Sequence, residues 1–281
     1  MPDLTVIDSA SPTSPAGQVL ASASCSVLVA FSSGISSWAA AKRYALTHGT
    51  DGMVLLFADT KIEDEDNYRF LHEAAENIGA RLEIIADGRS PWQVMKDARI
   101  IGNSRIDPCS KILKRQLLDK WRDKHCAPET TTIILGIGWD EEHRIRRVQE
   151  RTKPWNYIAP LTEAPYLTKL DCIAWAKREG IKAPRMYDMG FPHANCGGFC
   201  IKAGHATFRL LLKNFPERYA AHERAEEELR EMLGDHSVMN DRSGDGKKKV
   251  LTMKQFRERI ERDENDYDLF DFGGCACALP L

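Results

Sequence analysis

The chain has 281 residues, 43% of them hydrophobic and 28% charged, with a formal net charge of −2 and a pI near 6.5. A chain of this length can bury a full core, and its near-neutral balance argues against a generic nucleic-acid coat. No apolar run reaches the roughly 20 residues of a membrane span, and the N-terminus lacks a charged-then-apolar signal, so a cytoplasmic protein without membrane contact is expected. Eight cysteines in a reducing compartment point to metal or redox chemistry rather than to a disulfide framework.

Residues 1–24, rich in Ser, Pro and Ala, read as a disordered leader. An apolar run from Val27 to Phe31 is followed by a Ser/Gly turn, Ser32-Ser33-Gly34-Ile35-Ser36-Ser37, and by an alanine-rich helix start. Such a turn presents N–H groups and hydroxyls where the helix dipole favours an anion, so it reads as a phosphate cradle. Further strand-like runs span Met53 to Ala58, Leu82 to Ala86 and Thr131 to Gly136, with helix-period stretches between them. This alternation predicts an α/β fold, a doubly wound parallel sheet that binds its ligand at the carboxyl ends of the strands. The expected nucleotide-binding domain covers 25–160. Beyond Pro160 no clear buried strand is expected, and 161–281 read as a helical, cysteine-containing region with helices over about 168–178, 202–214, 216–233 and 252–262. Asp241 to Lys249 reads as a polar loop.

The Ser32–Ser37 turn resembles the Ser-Gly-Gly-x-Asp-Ser pyrophosphate loop of the PP-loop ATP pyrophosphatases, with Ser33 in place of the middle Gly and Ser36 in place of the Asp. Downstream motifs resemble the PAPS reductase-like branch of that superfamily, the phage and bacterial type related to DNA phosphorothioation enzymes. Asp59-Thr60 followed by Asp66-Asn67-Tyr68 resembles its Asp-Thr-Gly strand end and Glu-Thr-Tyr helix start, with Lys61 replacing the Gly and Asp66 the Glu. Cys109 with Leu113 and Lys114 resembles its Cys-x-x-x-Leu-Lys segment, and Gly136 through Arg146 its phosphate-facing Gly-x-Arg…Glu-Ser-x-x-Arg element. In that element Glu142 and Arg146 hold the Glu and Arg positions, and His143 replaces the Ser. The resemblance implies an adenine nucleotide alpha hydrolase-like fold in which Ser32, Ser33, Gly34, Ser36, Ser37, Asp59, Thr60, Gly136, Glu142 and Arg146 bind the nucleotide.

The residues carry their own reading beside this. A carboxylate at a strand end can accept from ribose hydroxyls, and arginine's planar fork suits phosphate. The plain alternative for Glu142 and Arg146 is an i,i+4 surface pair. Two basic clusters, Lys111, Lys114 and Arg115, then Arg144, Arg146, Arg147, Arg151 and Lys153, could line a basic path or form solvated helix faces. Cys196 and Cys200 in Asn-Cys-Gly-Gly-Phe-Cys, with Cys109 and the C-terminal Cys275 and Cys277, suit an iron–sulfur cluster or a structural zinc.

By resemblance a four-iron cluster is favoured, held by Cys109, Cys196, Cys200 and Cys275 or Cys277; the spare thiol of the C-terminal pair becomes the catalytic candidate. The tail after Arg262 must then fold back, with Leu269, Phe270 and Phe272 as anchors. Cys25, Cys126 and Cys172 carry no role, and His193 and His205 read as plain hydrogen-bonding groups. The resemblance implies ATP, with magnesium, and an adenylating, pyrophosphate-releasing sulfur transfer to an acceptor that is a nucleic acid, with a cysteine desulfurase-type donor. A homodimer is compatible with this reading. The alternatives are a PAPS or adenylylsulfate reductase releasing sulfite, whose Glu-Cys-Gly-x-His motif this C-terminus lacks, and a non-catalytic nucleotide-binding subunit.

Overall fold

The computed structural model describes residues 5–6, 25–103, 106–241, 249–262 and 271–273. Four apolar runs become parallel strands: β2 (Val27–Ala30), β3 (Met53–Asp59), β4 (Arg81–Ala86) and β5 (Thr132–Ile134). β3 is buried along its whole length, as a central parallel strand covered on both faces must be. A fifth parallel strand, β6 (Asn156–Ile158), pairs with β5, and β1 (Thr5–Val6) pairs antiparallel with β4. The sheet order is β1-β4-β3-β2-β5-β6. The chain therefore runs outward from β2 through β3 to β4 and returns to the other side of β2 at β5. This reversal puts a topological switch point between β2 and β5, the place where open α/β sheets form their ligand crevice. The expected doubly wound α/β class is the fold observed.

Helix α1 (Ile35–His48) packs against the sheet through Trp38 and three consecutive alanines, and its outer side meets α7 (Lys169–Arg178). Small side chains let the helix approach the strands closely. Helix α2 (Glu65–Ile78) is capped by the Asp64 carboxylate, which accepts from the Asp66 amide, and ends at Gly79 in the left-handed conformation. Helix α3 (Pro91–Asp97) starts with a Ser90–Gln93 capping box. A helical run comprises α4 (Pro108–Ser110), a π segment over Lys111–Arg115 and α5 (Gln116–His125). Helix α6 (Glu142–Arg151) follows β5.

The second half is built from α7, α8 (Arg185–Asp188), α9 (His205–Asn214), α10 (Pro216–Leu233) and α11 (Met253–Glu261). These helices enclose a separate apolar cluster around Phe199, Phe208, Tyr219 and Phe256.

Four short strands differ from the sequence expectation. β6 has only three residues, too few for periodicity to reveal. β7 (Met239–Asp241) and β8 (Lys249–Leu251) pair antiparallel and flank the expected polar loop, so 161–281 is not purely helical. Thr5–Val6, within the stretch expected to be a disordered leader, is paired to the sheet edge. Among the described residues no helix is long and apolar enough to cross a membrane.

Candidate functional site

A cleft of about 420 Å³ opens at the carboxyl ends of β2 and β5. Its floor is the turn between β2 and α1, contributing Ser32, Gly34, Ser36 and Ser37, with Gly136 and Gly138 of the β5 loop opposite. The volume lies within the range typical of small-molecule sites. Gly34 is the N-cap of α1 and has no side chain with which to cap it, so the positive end of the helix dipole faces the cleft. Within the turn, Ser37 Oγ donates to the Gly34 carbonyl at 2.8 Å, and Ser32 Oγ donates to Ser37 Oγ at 3.3 Å. Ser33 is fully buried beneath the turn, its hydroxyl donating to the Asn67 carbonyl at 2.8 Å. It supports the loop from below and does not line the cleft.

Ser33 has φ 56° and Lys61 φ 64°, both in the left-handed region that glycine enters without penalty. At both positions the resemblance expects glycine where this chain has another residue. Gly136 is required for another reason: a Cβ there would lie 2.7 Å from both Cα and N of Ser37, so the β5 loop touches the first turn of α1 backbone to backbone.

The opposite wall comes from the 187–195 segment, with Tyr187, His193, Ala194 and Asn195, and from Leu167, Thr168 and Lys169. Lys169 Nζ donates to the Pro192 carbonyl at 2.6 Å, tying α7 to that segment. Trp139, Asp140, Glu141 and Arg144 complete the rim. Arg144 is the cleft's arginine, and its guanidinium donates to Glu141.

Glu142 and Arg146, expected at the phosphates, lie outside the cleft lining and pair with each other at 2.9 Å with side chains 51% and 69% exposed. The correction is geometric: each residue turns a helix by about 100°, so positions 144 and 146 point to different sides of α6. The i,i+4 surface pair is the arrangement observed. Asp59 and Thr60 also stand away from this cleft. Both oxygens of Asp59 are engaged, Oδ1 by the Lys61 amide and the Tyr68 hydroxyl at 2.8 Å each, Oδ2 by Lys61 Nζ at 2.9 Å.

The expected basic path along Lys111, Lys114 and Arg115 is not a surface: only Lys111 is exposed. Arg115 is buried and forks onto Asp107 at 3.0 and 3.2 Å. The buried Lys114 instead belongs to a second cavity, lined by Thr60, Cys109, Lys114, Cys196 and Cys200 among others. Three of the cysteines singled out from sequence thus line one cavity, from α4 and from both ends of the Cys-Gly-Gly-Phe-Cys turn. Lys114 Nζ stands 3.6 Å from Cys196 Sγ and 3.6 Å from Glu63 Oε1. An ammonium in that position favours a thiolate.

Glu63, buried and absent from the sequence reading, accepts from the Cys196 amide at 2.6 Å, Thr60 Oγ1 at 2.9 Å and Asn67 Nδ2 at 3.3 Å. Burial pushes its pKa up, against the pull of the Lys114 charge and these donors. The only sequence signal was its place in the acidic run before α2.

Residues Cys196, Gly197 and Gly198 all have positive φ. Arg218 Nη1 donates to the Gly197 carbonyl at 2.7 Å while its Nη2 donates to Asp64, which Arg185 also clasps. A Cβ on Gly197 would lie 2.4 Å from the Ile62 carbonyl. The cysteine turn is therefore clamped onto the end of β3, and Asn195 and Cys196, adjacent in sequence, line the cleft and the second cavity respectively.

Cys275 and Cys277 lie outside the described residues, as do Leu269 and Phe270 of the expected return. Asp271 to Gly273 pack on the start of α9: Gly273 bridges Ala203, and Thr207 Oγ1 donates to the Phe272 carbonyl at 3.1 Å. Among the described residues no group of three or more His, Cys, Asp or Glu side chains is arranged to hold a metal ion. His193 is exposed at the cleft, and the buried His205 bonds the Asn240 carbonyl at 3.1 Å.

No family model matches the chain. No curated protein matches it in sequence. Solved structures similar to it include a phosphoadenylyl-sulfate (PAPS) reductase from Candida auris in a phosphate complex, at 12% identity and TM-score 0.39, covering 59% of this chain and 78% of that one. Another is an NH3-dependent NAD synthetase from Campylobacter jejuni in complex with nitrate, at 14% identity and TM-score 0.38, covering 75% and 85%.

Proposed function

We propose that the chain is a nucleotide-binding enzyme of the PP-loop type, which takes the phosphates of ATP on the Ser32–Ser37 turn and adenylates an acceptor with release of pyrophosphate. The observation that carries this reading is the position of the cleft: a helix start and a Ser/Gly turn at the topological switch point of a parallel sheet. In the adenylation step an acceptor oxygen attacks the α-phosphorus, the bond to pyrophosphate breaks, and the acceptor oxygen becomes part of a good leaving group. Ser32, Ser36 and Ser37 would orient the phosphates, and Arg144 and Lys169 are the cleft's cations. A magnesium ion is part of the proposal, with no ligand assigned.

The finer reading is sulfur transfer to a nucleic acid, fed by a cysteine desulfurase-type donor, in a cytoplasmic and homodimeric enzyme. The iron–sulfur part of this reading rests on the residue types that line the second cavity, Cys109, Cys196 and Cys200 beside a buried ammonium, whose thiols would have to draw together around the cluster. A fourth ligand would come from Cys275 or Cys277, two and four positions beyond Gly273, which bridges Ala203 close to Cys200. Such a cluster would hold or supply sulfide for transfer.

The test runs pyrophosphate release from ATP beside sulfite release from PAPS, with iron and acid-labile sulfide measured on anaerobically purified protein. Pyrophosphate without sulfite supports adenylation. Sulfite release would shift the reading to a sulfonucleotide reductase, and loss of iron in Cys109→Ser, Cys196→Ser and Cys200→Ser would support the ligand set.

A further inference from the structure

Cys25 and Cys126 have no part in the cleft or in the second cavity, yet the fold brings them together. Cys25 immediately precedes β2, and Cys126 is the C-cap of α5, already in extended conformation. The Cys25 thiol donates to the Val27 carbonyl at 3.7 Å, and its side chain interacts with that of Cys126. Their backbones are pinned to each other by one hydroxyl: Thr131 Oγ1 donates to the Cys25 carbonyl at 2.9 Å and accepts from the Ala127 amide at 3.3 Å. The next residues are tied too, with the Thr132 amide donating to the Ser26 carbonyl at 2.9 Å. Both cysteines belong to one apolar cluster.

We propose that Cys25 and Cys126 form a dithiol modification site, which a peroxide or a low-molecular-weight disulfide converts reversibly into an intramolecular disulfide. Access and reactivity divide between the two thiols. Cys25 is only 5% exposed, whereas Cys126 is half-buried and reachable from solvent. The neighbouring Cys25 side chain holds the Cys126 thiol below its ordinary range, although burial opposes this, while the Cys126 side chain and burial push Cys25 up. Cys126 is thus the attacking thiolate and Cys25 the resolving thiol.

With a peroxide, the Cys126 sulfur attacks one oxygen, the O–O bond breaks, and a sulfenic acid and hydroxide form. The proton that Cys126 released on ionising converts that hydroxide to water. The Cys25 sulfur then attacks the sulfenic sulfur, the S–O bond breaks, and the departing hydroxide takes the Cys25 thiol proton and leaves as the second water. Two thiols lose two electrons, and one peroxide becomes two waters. Cys172 is the internal control: it is 1% exposed, and burial pushes its thiol up to about 11.

The site lies at the amino ends of β2 and β5, opposite the cleft at their carboxyl ends. The cross-link is therefore expected to leave nucleotide binding unchanged, and its test is independent of the nucleotide reading. The full chain is titrated with hydrogen peroxide, alkylated and mapped under non-reducing conditions. A single cross-linked Cys25–Cys126 peptide is expected, formed in the monomer, reversed by dithiothreitol, preserved in Cys172→Ser and abolished in Cys126→Ser. Wild-type protein should also melt at a higher temperature after oxidation, a readout needing no variant. Separate alkylation of the two cysteines after oxidation, over-oxidation of Cys126 beside a reduced Cys25, or cross-links only between chains would overturn the proposal.

Discussion

The amide of Ile35 donates to the hydroxyl of Tyr187 at 3.1 Å, joining the first turn of α1 to the segment that carries the cysteine turn. The bond occupies an N–H at the helix start, where an anion would otherwise compete for it. Tyr187→Phe should cost about 1 kcal/mol of stability, the usual worth of one such hydrogen bond. A bound phosphate can replace the lost acceptor, so ATP should raise the melting temperature more in Tyr187→Phe than in wild type. An equal or smaller ATP shift in the variant would mean that phosphate does not reach this helix start.

Gly136 and Gly34 should respond differently to the same methyl group. At Gly136 the new Cβ meets the Ser37 backbone at 2.7 Å, and neither chain segment can yield without moving a strand end or a helix start. Gly136→Ala should destabilise by roughly 1–3 kcal/mol and weaken nucleotide binding. At Gly34 the nearest atoms are Ser32 Oγ and Tyr187 Oη, both at 3.4 Å, and φ is −95°, so Gly34→Ala should fold normally. Chemical unfolding of the two variants beside ATP titration checks the contrast; equal tolerance at both positions would refute the backbone contact.

Much of this architecture was legible in the sequence because it rests on long apolar runs. β3 is seven buried residues in a row, and the Val27 to Ser37 stretch reads directly as strand, turn and helix. Nothing in the sequence marks Ser33 and Lys61 as turn positions of this kind, yet both take the left-handed φ that glycine enters without penalty. What stayed illegible depends on direction rather than identity. Lys114 and Arg115 look like surface charges until Glu63 and Asp107 face them in the interior. Arg144 and Arg146 are chemically identical, and only the helix rotation decides which one meets the cleft. Cys25 and Cys126 are single cysteines in sequence and neighbours only once β2 and α5 are packed.

Arg144 and Arg146 therefore give a second test of the site. Arg144 lines the cleft with its side chain 19% exposed, while Arg146 is paired at the surface. Arg144→Ala should lose a charge-assisted contact worth roughly 1.5–3 kcal/mol, about ten- to a hundred-fold in ATP affinity. Arg146→Ala should leave ATP affinity unchanged and alter stability by a few tenths of a kcal/mol. The reverse ranking would restore Arg146 to the nucleotide site.

His222 of α10 sets a pH dependence that belongs to the helical half. Its Nδ1 accepts from Trp92 Nε1 at 2.9 Å, and its ring stacks on Phe199 with centroids 3.9 Å apart. Burial, and then the Arg218 charge, push its pKa from 6.5 down to about 3. In the unfolded chain the same imidazole titrates near 6.5, so between about pH 6.5 and 3 the unfolded state holds a proton that the native state lacks. The stabilisation is complete above pH 6.5 and is lost as pH falls, at up to about 1.4 kcal/mol per pH unit for this one group. Urea unfolding at pH 7.5, 6.5 and 5.5 should show that decline beginning near 6.5. His222→Gln keeps an acceptor within reach of Trp92 but cannot titrate, so its slope over the same interval should be smaller by one proton. An identical slope in the variant would mean that the folded protein accepts the proton at His222, and the buried neutral imidazole would have to be abandoned.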